Sequence, residues 1–521
     1  MSPVGIEILP DWVARHARVR PAAVALAVAE TGETVTWGAL EDRVGRLAAV
    51  LRDDLGVGVG DRVALVAEND WRVLELQFAC MRIGAILVPL NWRLAVAELV
   101  AMLADAEPAV LVHDAEWSGL ADRLLTAVPV PSRLGWGTPA AGYDGAIASA
   151  ARPVPGRDLD PDAATHVLYT SGTTGLPKGV ICTNRTLVTQ ALNLAHTSRM
   201  AERGRHHLNI VPLFHAGGLN VFTNPALYWG GRVTTTRRFD ARATLDLLTD
   251  PDLRITHLCG VLQNYEWLVR LDGFAAARFP ALETVLFGGW GPSTLEIYRA
   301  LRAHGIQVQL SYGASEIGPN VSILAAADDE AAAAGSSGTV VPHLRIRLTG
   351  ADGAEVAAGE VGELWVRGGG VTPGYWRQPR EEFFDGPWFR TGDAGRLDAA
   401  GHLYIVGRIK EVYRTGGENV YPAEVENALA GLPGVVELAV VGVPDATWGE
   451  TGLLAVVLAP AASVTLDEVR AYAEGRLARY KLPSHLLVFD EMPRSATEKV
   501  ARARIREHFE KLATEPSGRP S

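Results

Sequence analysis

Tyr169-Thr170-Ser171-Gly172-Thr173-Thr174-Gly175-Leu176-Pro177-Lys178-Gly179 carries three glycines, four Ser/Thr hydroxyls and one lysine in eleven positions. The residues before it, 165–168, read as a short buried strand, and 186–195 read as a helix. A loop of this composition suits a polyphosphate. Glycine lets backbone N–H groups approach phosphate oxygens, hydroxyls add donors, and lysine supplies a compact charge. It is not a Walker A loop, which needs Gly-Lys-Ser/Thr after a four-residue gap. The lysine stands out, because only five of the 49 basic residues of the chain are lysines.

Working outward, strand and helix alternate on both sides of this loop. Upstream, 36–51 is an amphipathic helix that Thr36 can cap. Strands follow at 61–66, 85–90 and 110–112, with helices at 72–83 and 95–104. Residues 138–161, rich in Ala, Gly and Pro, read as a surface loop. Downstream, strands are expected at 207–211, 232–236, 255–258, 284–287 and 307–310, with helices such as 241–248 and 293–303. Such alternation predicts helix-covered, mostly parallel sheets, whose ligands bind beyond the carboxyl ends of the strands. Four loops fall at such ends: 170–179, 212–218, 288–292 and 311–318.

From about residue 338 the period changes to two, at 343–348, 363–367 and 402–406, which predicts a small antiparallel, barrel-like segment. Residues 325–338 read as a mobile surface loop. Around 408–411 a boundary is expected. Beyond it, helices at 423–429 and 466–477 and strands at 435–443 and 452–458 predict a compact α+β unit. The division is a large unit 1–407, a connector 408–411, a small unit 412–512 and a disordered tail 513–521.

At 521 residues the chain needs more than one domain, and its net charge of −11 argues against a nucleic-acid surface. Its three cysteines are far apart and show no metal spacing, which suits a reduced interior. The first twenty residues lack the apolar core of a signal peptide, and no apolar run is long enough to span a membrane. A cytoplasmic location follows, and nothing argues against a homodimer.

Two further stretches carry chemistry. Ser311-Tyr312-Gly313-Ala314-Ser315-Glu316 gathers an aromatic ring for a purine, a hydroxyl for phosphate and a carboxylate for Mg²⁺ on one turn. Phe389-Arg390-Thr391-Gly392-Asp393 places a carboxylate after a tight turn, apt for ribose hydroxyls. With Gly407-Arg408-Ile409-Lys410, and Gly416-Gly417-Glu418-Asn419-Val420-Tyr421-Pro422, their order resembles the adenylate-forming superfamily. That superfamily includes acyl-CoA synthetases, luciferases and peptide-synthetase adenylation domains. The resemblance runs from Trp37 to Arg502.

The resemblance implies a two-step reaction. A carboxylate attacks the α-phosphate of Mg·ATP to give acyl-AMP and pyrophosphate, and a thiol, usually of coenzyme A, then displaces AMP. It also implies that the small C-terminal unit rotates between the steps, with Lys410 as the hinge. Thr170, Ser171, Gly172, Thr173, Thr174, Gly175 and Lys178 would hold phosphates. Gly288, Gly289 and Trp290, with Ser311 to Ala314, would enclose adenine, joined by Ile405. Ser315 would touch the α-phosphate, Glu316 and Thr170 the magnesium, Asp393 and Arg408 the ribose. Lys499 would bridge carboxylate and α-phosphate oxygens and offset developing charge. Lys178, Glu316 and Lys499 form the catalytic set with His215 of Pro212–Gly218, which resembles the family's gate between acid and thiol channels. Gly416, Gly417, Glu418 and Trp448 would line the coenzyme A channel.

The expected acid is apolar and not an amino acid. Amino-acid-activating relatives carry an Asp after the gate, whereas this chain has Leu219-Asn220-Val221-Phe222. His215, Phe222, Gly260, Val261, Gly313 and Trp290 are the expected acyl pocket. Three departures from the family pattern stand out: Trp290 where a small residue is usual, Ser315 for the commoner Thr, and Glu498 for the Gly before the lysine. Glu498 would disfavour the first step electrostatically, so a chain specialised in thioester formation is one alternative. Service to a carrier protein is another, and a non-catalytic acyl-adenylate binder is argued against by the intact Lys178, Glu316, Asp393 and Lys499.

Overall fold

The computed structural model describes residues 9–137, 142–170, 177–289, 293–324, 331–332, 334–494 and 500–514. Two large sheets make the main body. The six-stranded sheet runs Ser132–Trp136, Val110–Asp114, Arg62–Val66, Ile86–Pro89, Ala164–Thr170, Lys178–Thr183, parallel except for the last pair. The nine-stranded sheet has a parallel centre: Gln307–Ala314, Thr284–Gly288, His257–Val261, His206–Asn209, Arg232–Thr235 and Val24–Val28. Antiparallel strands flank it on both sides.

The helix Trp71–Ile83 lies between these sheets, touching strands of both. Its buried Arg82, Glu75 and Gln77 each find a partner, as buried polar groups ordinarily do. Arg82, fully buried, pairs with Asp11 at 2.8 Å and Glu41 at 2.6 Å. Glu75 takes Arg43 and the Tyr143 hydroxyl, and Gln77 exchanges hydrogen bonds with Asn224. The expected helix at 36–51 is Trp37–Ala49, with the Thr36 hydroxyl accepting from the Ala39 amide at 3.2 Å.

Three loop readings are corrected. Residues 138–161 hold a helix, Tyr143–Ser149, because the Tyr143 ring is fully buried and its hydroxyl anchors on Glu75. In the 325–338 stretch the described residues Ala331, Ala332 and Ser336 are buried, so that part is packed rather than a surface loop. Ser311 to Ala314 belong to the strand Gln307–Ala314, which leaves only Ser315 and Glu316 on a turn. The last helix, Arg502–Thr514, runs two residues into the expected tail, whose remainder lies outside the described residues.

A third, antiparallel sheet of five strands includes Leu344–Thr349, Gly362–Gly368, Trp388–Leu397 and Leu403–Arg408. The chain then makes a short 3₁₀ turn, Ile409–Glu411, and enters the C-terminal sheet. That sheet comprises Tyr413–Thr415, Glu418–Val420, Val435–Asp445, Gly449–Leu458 and His485–Phe489. The change of sheet thus falls between Arg408 and Tyr413. The chain before it is an α/β body of mostly parallel sheets with an antiparallel segment, and the chain after it is a small α+β unit.

Candidate functional site

The loops singled out in the sequence all leave carboxyl ends of parallel strands. In the nine-stranded sheet Val261, Gly288 and Ser311 are register partners across three neighbouring strands. They form one edge from which Gly289 (φ +90°) and the Ser315–Glu316 turn project. Gly313 has to lack a side chain, since a Cβ there would lie 2.2 Å from the Pro319 carbonyl oxygen.

Asp393 reaches this edge from the antiparallel sheet. It lies on the strand Trp388–Leu397, not after a tight turn as the sequence suggested. The strand bulges there: Glu363 pairs with Ala394 but Trp365 with Arg390, and Gly392 at φ +71° absorbs the extra residues. A bulge bends the strand and re-aims its side chains. Asp393, 5% exposed, accepts from the Tyr312 hydroxyl on one oxygen and pairs with Arg408 Nε at 2.6 Å on the other. Burial pushes its carboxyl up, against the pull of Arg408 and Tyr312. Each carboxylate oxygen keeps a second lone pair for a ribose hydroxyl. The sequence-predicted adenine residue Tyr312 and ribose residues Asp393 and Arg408 are therefore one hydrogen-bonded group.

A second group forms beside it. Lys178 opens the strand Lys178–Thr183 and faces Thr170 in register. Its ammonium lies over two rings, 4.5 Å from the Phe383 centroid and 5.5 Å from that of Tyr375. Tyr375 donates its hydroxyl to Glu316 Oε1 at 2.8 Å. The charge of Arg408 also acts on Tyr375 and on Glu316, so the two groups share one field. Neither Tyr375 nor Phe383 was legible as a site residue. Both sit in Gly/Pro-interrupted sequence far from Lys178 and Glu316, and only folding brings them there.

The gate segment is pinned from the other sheet. Asn69 accepts from the Leu213 amide at 2.8 Å and donates to the Val211 carbonyl at 3.0 Å. His215 is exposed and its Nδ1 accepts from the Gly217 amide at 3.0 Å. Behind it, Asn220 donates to His166 Nε2 at 3.0 Å and accepts from Asn224 at 2.9 Å, extending the chain of amides that begins at Gln77. Ser315 lines a narrow cavity with Cys182, Gln190 and Asn220.

Of the expected acyl pocket, Gly260 and the half-exposed Val261 end the strand His257–Val261. Phe222 is fully buried, edge-on to His207 and His257, and does not join the exposed edge. Ile405 lines a groove of about 340 Å³ with Tyr404, Tyr421 and Lys481. On the C-terminal unit, Gly416 and Gly417 (φ +61° and +90°) close the hairpin between Tyr413–Thr415 and Glu418–Val420. The exposed indole of Trp448 lies against Gly416, and the Gly416 amide donates to the Trp448 carbonyl at 2.9 Å. Lys410 is exposed in the connecting turn. Ser171 to Gly175, Trp290 and Lys499 lie outside the described residues.

The donor types expected at the metal site suit a magnesium ion. Among the described residues there is no cluster of three or more His, Cys, Asp or Glu able to hold a metal alone. Glu316 and Thr170 instead offer oxygen donors. Magnesium is ordinarily held by one or two carboxylates together with substrate phosphates.

Comparison with known proteins identifies the family. The family model for AMP-binding enzymes matches residues 13–376, and that for the AMP-binding enzyme C-terminal domain matches 424–499. Indoleacetate–CoA ligase of Aromatoleum aromaticum is 36% identical over 516 residues, covering 96% of this chain and 98% of its own. Feruloyl-CoA synthase of an Amycolatopsis species is 36% identical over 508 residues, covering 96% and 99%. The structure of o-succinylbenzoate CoA synthetase from Bacillus subtilis with its acyl-adenylate intermediate superposes with a TM-score of 0.85 at 28% identity, covering 96% and 99%. The same enzyme has been solved with ATP and magnesium. This chain belongs to the AMP-binding, adenylate-forming enzyme family, in its CoA ligase branch.

Proposed function

We propose that this chain is an AMP-forming acid–thiol ligase that converts an apolar, non-amino carboxylic acid to its coenzyme A thioester. An acid oxygen attacks the α-phosphorus of ATP and pyrophosphate leaves. The thiolate of coenzyme A then attacks the acyl carbon, and the bond to AMP breaks. The observation that carries this reading is the pairing of two groups on one edge: Tyr312–Asp393–Arg408 for the nucleoside, and Lys178–Tyr375–Glu316 for its phosphates.

The roles follow from charge and geometry. Asp393 accepts from ribose hydroxyls, and the Arg408 guanidinium pulls against the burial that raises its carboxyl. Lys178 draws the outer phosphates to the strand end, and Ser315 donates to the α-phosphate. Magnesium, when bound through Glu316 and Thr170, offsets phosphate charge. Lys499 stabilises the charge that develops during attack. His215 stands at the gate, and Gly416, Gly417, Glu418 and Trp448 guide the pantetheine arm. Residues 408–411 are the hinge between a large unit, 1–407, and a small unit, 412–512.

An aryl acid is favoured, since the indoleacetate and ferulate ligases are relatives over nearly the full chain. Asn220 also supports a non-amino substrate: its amide is already spent on His166 and Asn224 and brings no charge to meet an ammonium. We place the reaction in the cytoplasm, where ATP, coenzyme A and reduced thiols coexist. Cys80, Cys182 and Cys259 are free, and no helix among the described residues is long and apolar enough to cross a membrane.

The test is AMP release from a panel of aryl, fatty and amino acids, with and without coenzyme A. Release with aryl acids, stimulated by coenzyme A, is expected. Release with α-amino acids alone, or indifference to coenzyme A, would overturn the reading.

The hinge has its own test. Lys410→Pro fixes φ and removes an N–H. It is expected to slow thioester formation from supplied acyl-AMP by about tenfold or more while changing adenylation little. Equal loss in both half-reactions, each followed under single-turnover conditions, would remove Lys410 from the hinge.

A further inference from the structure

Residues 372–376 form a strap that joins the two charges of the phosphate group. The Thr372 amide donates to the Glu316 carbonyl at 2.7 Å, and the Thr372 hydroxyl donates to the Ile181 carbonyl at 2.7 Å. Tyr375 bridges Val180, and the Trp376 amide donates to the Gly179 carbonyl at 2.7 Å. The strap is thus zipped onto the strand that starts with Lys178 and also holds the backbone of Glu316. Thr372 is buried, which shields these bonds from competing water.

From this fixed backbone Tyr375 makes two contacts of different kinds. Its hydroxyl donates to Glu316 Oε1 at 2.8 Å. Its ring, with that of Phe383 packed edge-on at 4.5 Å, lies under the Lys178 ammonium. Among the described residues Lys178 pairs with no carboxylate. A carboxylate partner would fix the ammonium by neutralising it, whereas an aromatic face fixes it and leaves its charge for an anion.

We infer that Tyr375 is a positioning residue for the metal–triphosphate complex. Its hydroxyl occupies one oxygen of Glu316 and leaves the other to face the metal, while its ring and that of Phe383 aim Lys178 at the phosphates. A hydrogen bond to a metal-bound carboxylate orients that ligand, and its removal ordinarily lowers metal affinity by about 10–100-fold. The inference rests on the proposed function for the assignment of Glu316 and Lys178, and it adds a residue that reads both.

The experiment is calorimetric titration of the full chain with ATP, once with Mg²⁺ and once with EDTA. Pyrophosphate release against free Mg²⁺ is followed in parallel. Tyr375→Phe keeps the ring and removes only the hydroxyl. It is expected to bind metal-free ATP as the parent does, to lose most of the gain in affinity that Mg²⁺ gives, and to need about tenfold more Mg²⁺ for half-maximal pyrophosphate release. Thioester formation from supplied acyl-AMP, which needs no triphosphate, stays within twofold. Phe383→Leu keeps apolar bulk and removes the ring. It is expected to weaken ATP about fivefold with and without the metal. A Tyr375→Phe variant with the parent's Mg²⁺ response, or with equal losses in both half-reactions, would overturn the inference. A parent chain that binds no Mg·ATP at all would instead overturn the proposed function.

Discussion

Asp393→Ala is expected to lower kcat/KM for ATP in the adenylation step by about 10²-fold, the cost of removing a buried, hydrogen-bonded carboxylate. Asp393 is 5% exposed and has both oxygens engaged, one by Arg408 Nε at 2.6 Å and the other by the Tyr312 hydroxyl. Alanine strands both partners. The guanidinium of Arg408, whose charge already acts on Glu316, would turn toward that carboxylate and compete with the metal. The ribose would also lose its acceptor. Asp393→Asn keeps the shape and one acceptor oxygen, so its loss should be smaller, about tenfold. Pyrophosphate release at varied ATP measures both variants, and far-UV circular dichroism checks their fold. Adenylation within twofold of the parent in Asp393→Ala would remove Asp393 from nucleotide binding and leave it a packing role.

Acidification from pH 7 to pH 5 is expected to destabilise the large body steeply, because four buried imidazoles are held neutral. Burial pushes His166 and His207 down to about 3 and His206 and His257 down to about 4. Their ordinary value is 6.5. A depressed folded pKa means that the unfolded chain binds the extra proton first, so stability rises with pH across this window. The contribution is fully present above about pH 6.5 and is lost as pH falls toward 4. At pH 5 each histidine removes roughly 2 kcal/mol. Raised carboxyls such as Asp393 and Asp114 act in the opposite sense and offset part of the loss.

At His166 a hydrogen bond adds to the effect of burial. Its Nε2 accepts from the Asn220 amide at 3.0 Å, so protonation would set two donors against each other. His257 Nε2 lies 2.7 Å from the Ser198 carbonyl and His206 Nε2 lies 2.7 Å from the Thr234 hydroxyl. Thermal melts between pH 5 and pH 8 give the measurement. His166→Asn should flatten the slope between pH 5 and pH 6.5. A midpoint independent of pH across that window would show that these rings take up protons in place.

The architecture was largely legible from period. Apolar runs of three to six residues, alternating with helix-length segments, pointed to the parallel strands and the helices between them. Misreadings came where a single long-range contact outweighs local composition. Tyr143 nucleates helix inside Ala/Gly-rich sequence because its ring is buried against Trp136 and its hydroxyl reaches Glu75. Burial likewise places Ala331 and Ala332 in the core that packs on the nine-stranded sheet, although their sequence looks like a surface loop.

The sequence by itself determined the family, the order of the phosphate, Glu316, Asp393 and Lys410 stretches, and the kind of acid expected. These depend on residue types at short spacings, which the chain states outright. The tertiary structure alone decided that Asp393 sits on a bulged strand clamped between Tyr312 and Arg408, and that Lys178 and Glu316 are joined through Tyr375. It also decided that Phe222 is buried edge-on between two histidines. These pairs lie tens to about two hundred residues apart, and no local spacing encodes them. Sheet register and the parallel arrangement of strands bring their carboxyl ends together, and only there can a hydroxyl, a ring and two opposite charges meet.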